Sequence, residues 1–170
     1  RDIAPIFFIE ENKIKSVNYK FNGYGKYLNY QNDNKVSEFI SSYFKIPSTF
    51  SDIVLEGGAI AYDENANLFS TKNVIFNKNR KQTLSNEKIL NELKIQFNLK
   101  HIFLFENGLI GDDTDGHVDN LLCPIGNNKY LIADTSKFSS NYDILNKNKK
   151  DLISFFDYTK QNFELILIPL

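Results

Sequence analysis

The order of apolar and polar positions along the chain predicts one structural unit in its first third. Apolar residues cluster over 3–9 and alternate with polar ones over 14–21, and both patterns are typical of strands. The short polar stretch between the two segments indicates a hairpin. Apolar residues then recur at helical spacing over 36–44, with Asp33 as the expected N-cap. A further strand is predicted over 52–55. The predicted order is therefore strand-strand-helix-strand.

The same order of elements is predicted twice more, which divides the chain into repeats of about 1–55, 56–110 and 111–170. The predicted elements are strands 59–62 and 68–76, a helix that begins after Ser85 and strand 101–105, followed by strands 118–125 and 129–134, helix 141–158 and strand 163–168. Because the residues themselves are not repeated, the repeat is structural. It indicates an α/β fold of radial or solenoidal repeats.

Composition and charge exclude several classes of protein. The 170 residues are 42% hydrophobic, enough for one domain with a buried core, and 20 Lys+Arg balance 21 Asp+Glu. This balance disfavours binding to nucleic acid or to a membrane surface, and no apolar run is long enough to cross a bilayer. A single cysteine, Cys123, excludes an internal disulfide. The first residues carry neither a starting methionine nor a signal pattern, so we expect an excerpt of a longer protein.

Residues suited to chemistry stand at equivalent junctions of the three predicted units. Asp2 precedes the first hairpin, Glu56 precedes the second, and His117 and Asp119 stand at the entry to the third. Units arranged around a common axis would bring these junctions together, so we expect three carboxylates and one imidazole at a central site. Strand alternation would also place His117 and Asp119 on the same face, since residues two apart point the same way.

This set of side chains fits a planar cation such as guanidinium. A carboxylate accepts paired N–H donors in a fork, and two carboxylates hold the plane of the cation against rotation. Asp2 and Asp119 are the expected clamp, and Glu56 would orient the guanidinium or the histidine. A protonated His117 could donate a proton to departing ammonia and afterwards take one from water.

Metal-dependent functions are weakly supported. The acidic run 111–116 does not fit an EF-hand, because Gly111 would occupy the first ligand position and Leu122 the twelfth. A hydrolase metal held by His117 is disfavoured because the chain has only one other histidine, His101. We therefore predict neither a metal nor a cofactor.

Five segments of the chain resemble agmatine deiminase and its bacterial peptidylarginine deiminase relatives, in the same order and over essentially the whole chain. The most specific are Asp-Gly-His-Val-Asp-Asn at 115–120 and Leu-Glu-Gly-Gly at 55–58; the others are 1–5, 21–27 and 77–80. The resemblance implies a pentein fold, in which five strand-strand-helix-strand units surround a pseudo-fivefold axis. About three of the five units would be present here.

The resemblance also implies a reaction and roles for the matching residues. Asp2 and Asp119 would bind the guanidinium group, Glu56 would support it, and His117 would be the acid and base. A cysteine thiolate attacks the guanidinium carbon, ammonia leaves, and the S-linked amidine is hydrolysed to a ureido product. The implied activity is conversion of agmatine to N-carbamoylputrescine and ammonia, without a cofactor, by a cytoplasmic enzyme of putrescine biosynthesis and polyamine metabolism.

The chain departs from the family pattern at the nucleophile. The family places its cysteine in a Gly-rich segment near the C-terminus, and no such segment occurs before Leu170. Cys123 is expected to be buried and structural, so the 170 residues alone are predicted to be inactive. Two alternative functions stay open: deimination of peptidyl or free arginine, with citrulline as the product, and a non-catalytic guanidinium-binding module. The oligomeric state stays open as well, with a homodimer as one option.

Overall fold

The computed structural model describes residues 2–170, so Arg1, the first residue of the segment 1–5, lies outside the described residues. The chain forms two compact units. Unit 1 comprises Arg1–Gly58 and Asn77–Asn86, and unit 2 comprises Ala59–Phe76 and Glu87–Leu170. No helix within residues 2–170 is long and apolar enough to cross a membrane.

Unit 1 contains one three-stranded sheet in the order β1-β2-β3. β1 (Ile6–Glu10) and β2 (Lys13–Lys20) form the predicted antiparallel hairpin, and β3 (Ser48–Val54) runs parallel to β2. Both residues of the hairpin turn, at positions 11 and 12, have left-handed backbone angles, as a two-residue turn between twisted strands requires. The helix α1 (Val36–Tyr43) supplies the crossover between the parallel strands.

α1 packs on this sheet through small polar side chains. Ser37 and Ser41 are buried, and the Ser41 hydroxyl lies 3.0 Å from the Oδ1 atom of the buried Asn18. The aromatic residues whose spacing predicts the helix are instead exposed to solvent: Phe39, Tyr43 and Phe44. Helical periodicity therefore predicts the element correctly but not the side that is buried.

Unit 2 contains two further three-stranded sheets, in the orders β4-β5-β6 and β7-β8-β9. In both sheets the first two strands are antiparallel and the last two are parallel. The strands are β4 (Ala61–Tyr62), β5 (Asn67–Thr71), β6 (His101–Phe105), β7 (Leu122–Gly126), β8 (Lys129–Asp134) and β9 (Glu164–Pro169). The helices are α2 (Lys72–Ile75), α3 (Asn86–Gln96) and α4 (Tyr142–Thr159). The strand-strand-helix-strand order predicted from the sequence therefore recurs.

Aromatic side chains dominate the core of unit 2. Phe69, Tyr130 and Phe156 are almost fully buried, and the rings of Tyr130 and Phe156 are 4.8 Å apart. The Tyr130 hydroxyl donates a 2.7 Å hydrogen bond to the buried Asp63. Burial, together with this hydrogen bond to a carboxylate, raises the pKa of the Tyr130 phenol well above its ordinary value.

Several local predictions are wrong, among them the strand predicted over 52–55, which runs from Ser48 to Val54. The strand predicted over 68–76 ends at Thr71, because the Thr71 hydroxyl accepts a hydrogen bond from Val74 N and caps α2. The strand predicted over 118–125 begins only at Leu122, because Val118–Asn120 forms a 3-10 turn. A 3-10 turn at 33–35 also precedes α1, so Asp33 is not its N-cap. His117 and Asp119 are consequently not alternating residues of a strand.

Candidate active site

The Asp2 carboxylate is held by two donors from distant parts of unit 1. Its Oδ2 atom accepts a 2.9 Å hydrogen bond from the Tyr24 hydroxyl, and its Oδ1 atom accepts a 2.9 Å hydrogen bond from Gly58 N. Burial, and the hydrogen bond to the Asp2 carboxylate, raise the pKa of the Tyr24 phenol well above its ordinary value. The phenol therefore stays protonated and remains a donor.

An unusual turn presents Tyr24. The 3-10 turn Gly23–Gly25 places three consecutive residues in the left-handed region, with φ angles of +65°, +57° and +72°. A Cβ atom on Gly25 would lie only 2.2 Å from the backbone oxygen of Asn79, so only glycine fits there. The Asn22 side chain accepts a hydrogen bond from Gly25 N and closes the turn.

Glu56 forms a buried ion pair with Arg80. Both side chains are completely inaccessible to solvent, and the Arg80 Nε atom lies 3.0 Å from Oε1 and 3.2 Å from Oε2 of Glu56. The backbone oxygen of Arg80 also accepts a 2.8 Å hydrogen bond from Asn22, so the turn that carries Tyr24 is attached to the segment that carries Arg80. Within unit 1, the partner of Asp2 and the partner of Glu56 therefore lie on two segments that a hydrogen bond joins.

In unit 2, the loop before His117 is organised by a single carboxylate. Asp112 accepts hydrogen bonds from the backbone N–H groups of Thr114, Gly116 and His117, at 2.8–2.9 Å, and from the Thr114 hydroxyl. Burial alone would raise the pKa of Asp112, but the four donors stabilise the charged form and hold the pKa below its ordinary value.

The loop is also packed tightly at its last glycine. Gly116 has a φ of +106°, and its backbone oxygen accepts a 2.7 Å hydrogen bond from the Thr71 hydroxyl. A Cβ atom on Gly108 would lie 2.2 Å from the Gly116 Cα atom, so the two glycines permit an approach that no other residue would. His117, which follows, is buried, and Asp119 is half-buried in the next 3-10 turn.

The four residues predicted for the site fall into two pairs, Asp2 with Glu56 in unit 1 and His117 with Asp119 in unit 2. The sequence assigns no role to three residues that support them: Tyr24, Arg80 and Asp112. The partners of Asp2 and Glu56 carry no sequence signal, because they lie 22 to 56 residues away. The Asp112 loop does carry a sequence signal. Asp112, Thr114 and Gly116 form a pattern that is typical of a turn held by hydrogen bonds from the backbone to a side chain.

Cys123 is exposed, so the expectation that it is buried is wrong. It follows the buried Leu122 on β7, and strand alternation turns its side chain to the other face. Within residues 2–170, no three His, Cys, Asp or Glu side chains are grouped closely enough to hold a metal ion.

Solved structures of the same architecture define the class of fold. The chain superimposes over its whole length on 50% of a C. jejuni agmatine deiminase with substrate bound, with a TM-score of 0.88 and 30% identity. An agmatine deiminase of Enterococcus faecalis has a TM-score of 0.91 at 24% identity over 99% of this chain and 48% of its own. The fold is therefore a pentein-type α/β arrangement, with about three of the five repeats present, as the resemblance implies.

Sequence comparison then gives the family. The family model of the Porphyromonas-type peptidyl-arginine deiminase matches residues 1–170. Agmatine deiminase from Medicago truncatula is 30% identical over 182 aligned residues, which cover 98% of this chain and 49% of the relative. The chain belongs to the Porphyromonas-type peptidyl-arginine deiminase family, which confirms the resemblance. It spans about half the length of the first curated relatives it matches.

Proposed function

We propose that the intact protein hydrolyses agmatine to N-carbamoylputrescine and ammonia. The observation that carries the proposal is the fixed carboxylate of Asp2, which accepts two directed 2.9 Å hydrogen bonds from distant segments. A carboxylate held in one orientation is suited to a planar guanidinium group, because the paired N–H donors of the cation require a defined carboxylate plane. The agmatine deiminases among the relatives support agmatine as the substrate.

In the proposed binding step, Asp2 and Asp119 each accept N–H donors of the guanidinium group. Glu56 supports the site, and its side chain is itself held in place by the fully buried ion pair with Arg80. Ionised carboxylates form the strongest hydrogen bonds to a guanidinium cation. No metal or cofactor takes part in this proposal.

In the proposed chemical step, a cysteine thiolate outside these 170 residues attacks the guanidinium carbon and forms a C–S bond. A C–N bond then breaks, and His117 gives a proton to the departing ammonia. Water next attacks the amidine carbon, His117 takes a proton from it, and the C–S bond breaks to leave a ureido group and the thiolate. The C. jejuni structure with substrate bound, in which serine replaces one cysteine, supports a cysteine nucleophile.

Ammonia release tests the proposal directly. The intact protein is incubated with agmatine, free arginine and an arginine-containing peptide, and the ureido product is identified by mass spectrometry. We expect turnover of agmatine, and we expect the 170 residues alone to be inactive. Turnover of only the peptide would assign peptidylarginine as the substrate, and binding of agmatine without ammonia release would indicate a non-catalytic module.

The proposed reaction would belong to putrescine biosynthesis and polyamine metabolism. Fractionation of cells that produce the protein should place the agmatine-dependent ammonia release in the cytoplasm. Sedimentation of the intact protein would show whether it is a homodimer.

A further inference from the structure

We propose that Tyr24 is a positioning residue that sets the plane of the Asp2 carboxylate for the guanidinium group. The inference rests on the proposed deiminase function. The Tyr24 hydroxyl donates to Asp2 Oδ2 at 2.9 Å. A hydrogen bond to an ionised acceptor is roughly twice as strong as one between neutral groups, so this contact is strong enough to orient a short side chain.

Two donors from different segments fix the carboxylate. Tyr24 binds one oxygen of Asp2, and Gly58 N binds the other at 2.9 Å. Because the two contacts engage both oxygens of the carboxylate from different directions, together they define its plane. The backbone amide of Gly58 cannot be removed by a side-chain substitution. Of the two donors, Tyr24 is therefore the one that mutation can test.

The ring of Tyr24 is itself held in place. It packs edge-on against Phe21, with ring centroids 5.2 Å apart at 90°, and against Tyr27 at 6.3 Å. These contacts use only the ring, so removal of the hydroxyl leaves them intact. The hydroxyl is therefore available for a function distinct from packing.

The backbone of Tyr24 is strained in a way that packing alone would not require. A φ of +57° is unfavourable for a bulky side chain and persists only where the surroundings enforce it. Here the Asn22 side chain holds Gly25 N, and Gly25 lies directly against the backbone of Asn79. The strained backbone of this turn places the Tyr24 hydroxyl within hydrogen-bond distance of Asp2.

Tyr24→Phe in the intact protein tests the inference by steady-state kinetics with agmatine. We expect KM to rise by roughly tenfold to a hundredfold, the loss expected for one hydrogen bond to a charged group, with a smaller change in kcat. A merely structural role would lower the folded fraction, and hence kcat, without a change in KM. Tyr30→Phe, which lies close to the same turn, is the matched control and should leave both constants unchanged.

Competition by guanidinium chloride provides a second measurement. Guanidinium carries only the group that Asp2 would hold, so its inhibition constant should rise in Tyr24→Phe by the same factor as KM. A KM and an inhibition constant within twofold of wild type would overturn the role of Tyr24 while the deiminase function stands. No ammonia release and no agmatine binding by the wild-type protein would overturn the proposed function, and this inference with it.

Discussion

The two halves of the predicted set of site residues, one in each unit, are stabilised in different ways. In unit 1, Asp2 and Glu56 are held by side chains and amides 22 to 56 residues away, through Tyr24, Gly58 and Arg80. In unit 2, the loop that carries His117 is organised by Asp112, a carboxylate no more than five residues from any of its donors. The first half therefore depends on unit 1 folding correctly, whereas the second is a largely local structure.

The two arrangements also differ in their electrostatics. The pair of Glu56 and Arg80 is completely buried, so each charge depends on the other to offset its desolvation. Asp112 is half-buried and its donors are mostly backbone N–H groups, which stabilise its charge without a counter-ion. Substitutions in the first half should consequently lower the free energy of unfolding more than substitutions in the second half.

The largest effect is expected for Arg80→Met. The change leaves Glu56 buried without its counter-ion and should lower the free energy of unfolding by about 3–5 kcal/mol. Urea denaturation measures the change. Lys78→Met, an exposed residue of the same turn, is the control and should change the stability by less than about 0.5 kcal/mol.

Removal of both charges sharpens this prediction. In the double variant Arg80→Met with Glu56→Leu, no isolated charge is buried, so part of the lost stability should return. A double variant less stable than Arg80→Met alone would contradict the assignment of the loss to an uncompensated carboxylate. Equal stability of Arg80→Met and wild type would show that the ion pair is not needed for the fold.

A smaller and more local effect is expected for Asp112→Ala. Loss of the acceptor for three backbone N–H groups should cost about 1–3 kcal/mol, and amide exchange should accelerate at Gly116 and His117. The control is Asp143→Ala, an exposed residue in the first turn of α4, which should leave amide exchange at Gly116 and His117 unchanged. Faster exchange throughout the unit, rather than in the loop alone, would contradict the local character of this half.

The pH dependence of stability gives an independent test of Asp112. The four hydrogen bonds hold its pKa below the ordinary value, so they contribute stability above the pKa of the unfolded state. This contribution is lost as the pH falls through the lowered pKa of the folded state. The difference in free energy of unfolding between wild type and Asp112→Asn should be constant near neutral pH and should shrink in strong acid. A difference that grows on acidification would contradict the lowered pKa of Asp112.

The smallest effect is expected for Cys123→Ser. The side chain is exposed on β7, so the free energy of unfolding should change by less than about 0.5 kcal/mol. Deiminase activity of the intact protein should also be unchanged, because the proposed nucleophile lies outside these residues. Loss of turnover in this variant, with the fold retained, would make Cys123 part of the site.

Much of the fold follows from the sequence because its signals are local. Strands 101–105 and 129–134 are predicted with the observed bounds, since each is an apolar or alternating run bounded by polar turns. The prediction is wrong where a side-chain cap or a short turn ends or delays an element. Thr71 caps α2 and stops β5, and the 3-10 turn at 118–120 delays β7.

The candidate site is less accessible to sequence reasoning. The junctions and the resemblance indicate Asp2, Glu56, His117 and Asp119, but their catalytic roles remain predictions. The ion pair with Arg80 depends on the folded chain bringing positions 56 and 80 together, and no periodicity predicts that. The contact from Tyr24 likewise depends on a left-handed turn whose target lies 22 residues earlier.

One measurement tests the central claim most directly: ammonia release from agmatine by the intact protein and by its His117→Ala and Asp119→Ala variants, each first shown to be folded. The proposed function predicts turnover by the wild type and near-complete loss in both variants, because one loses the proton donor and the other a carboxylate of the clamp. Absence of ammonia from the wild type, or undiminished turnover in both variants, would contradict it.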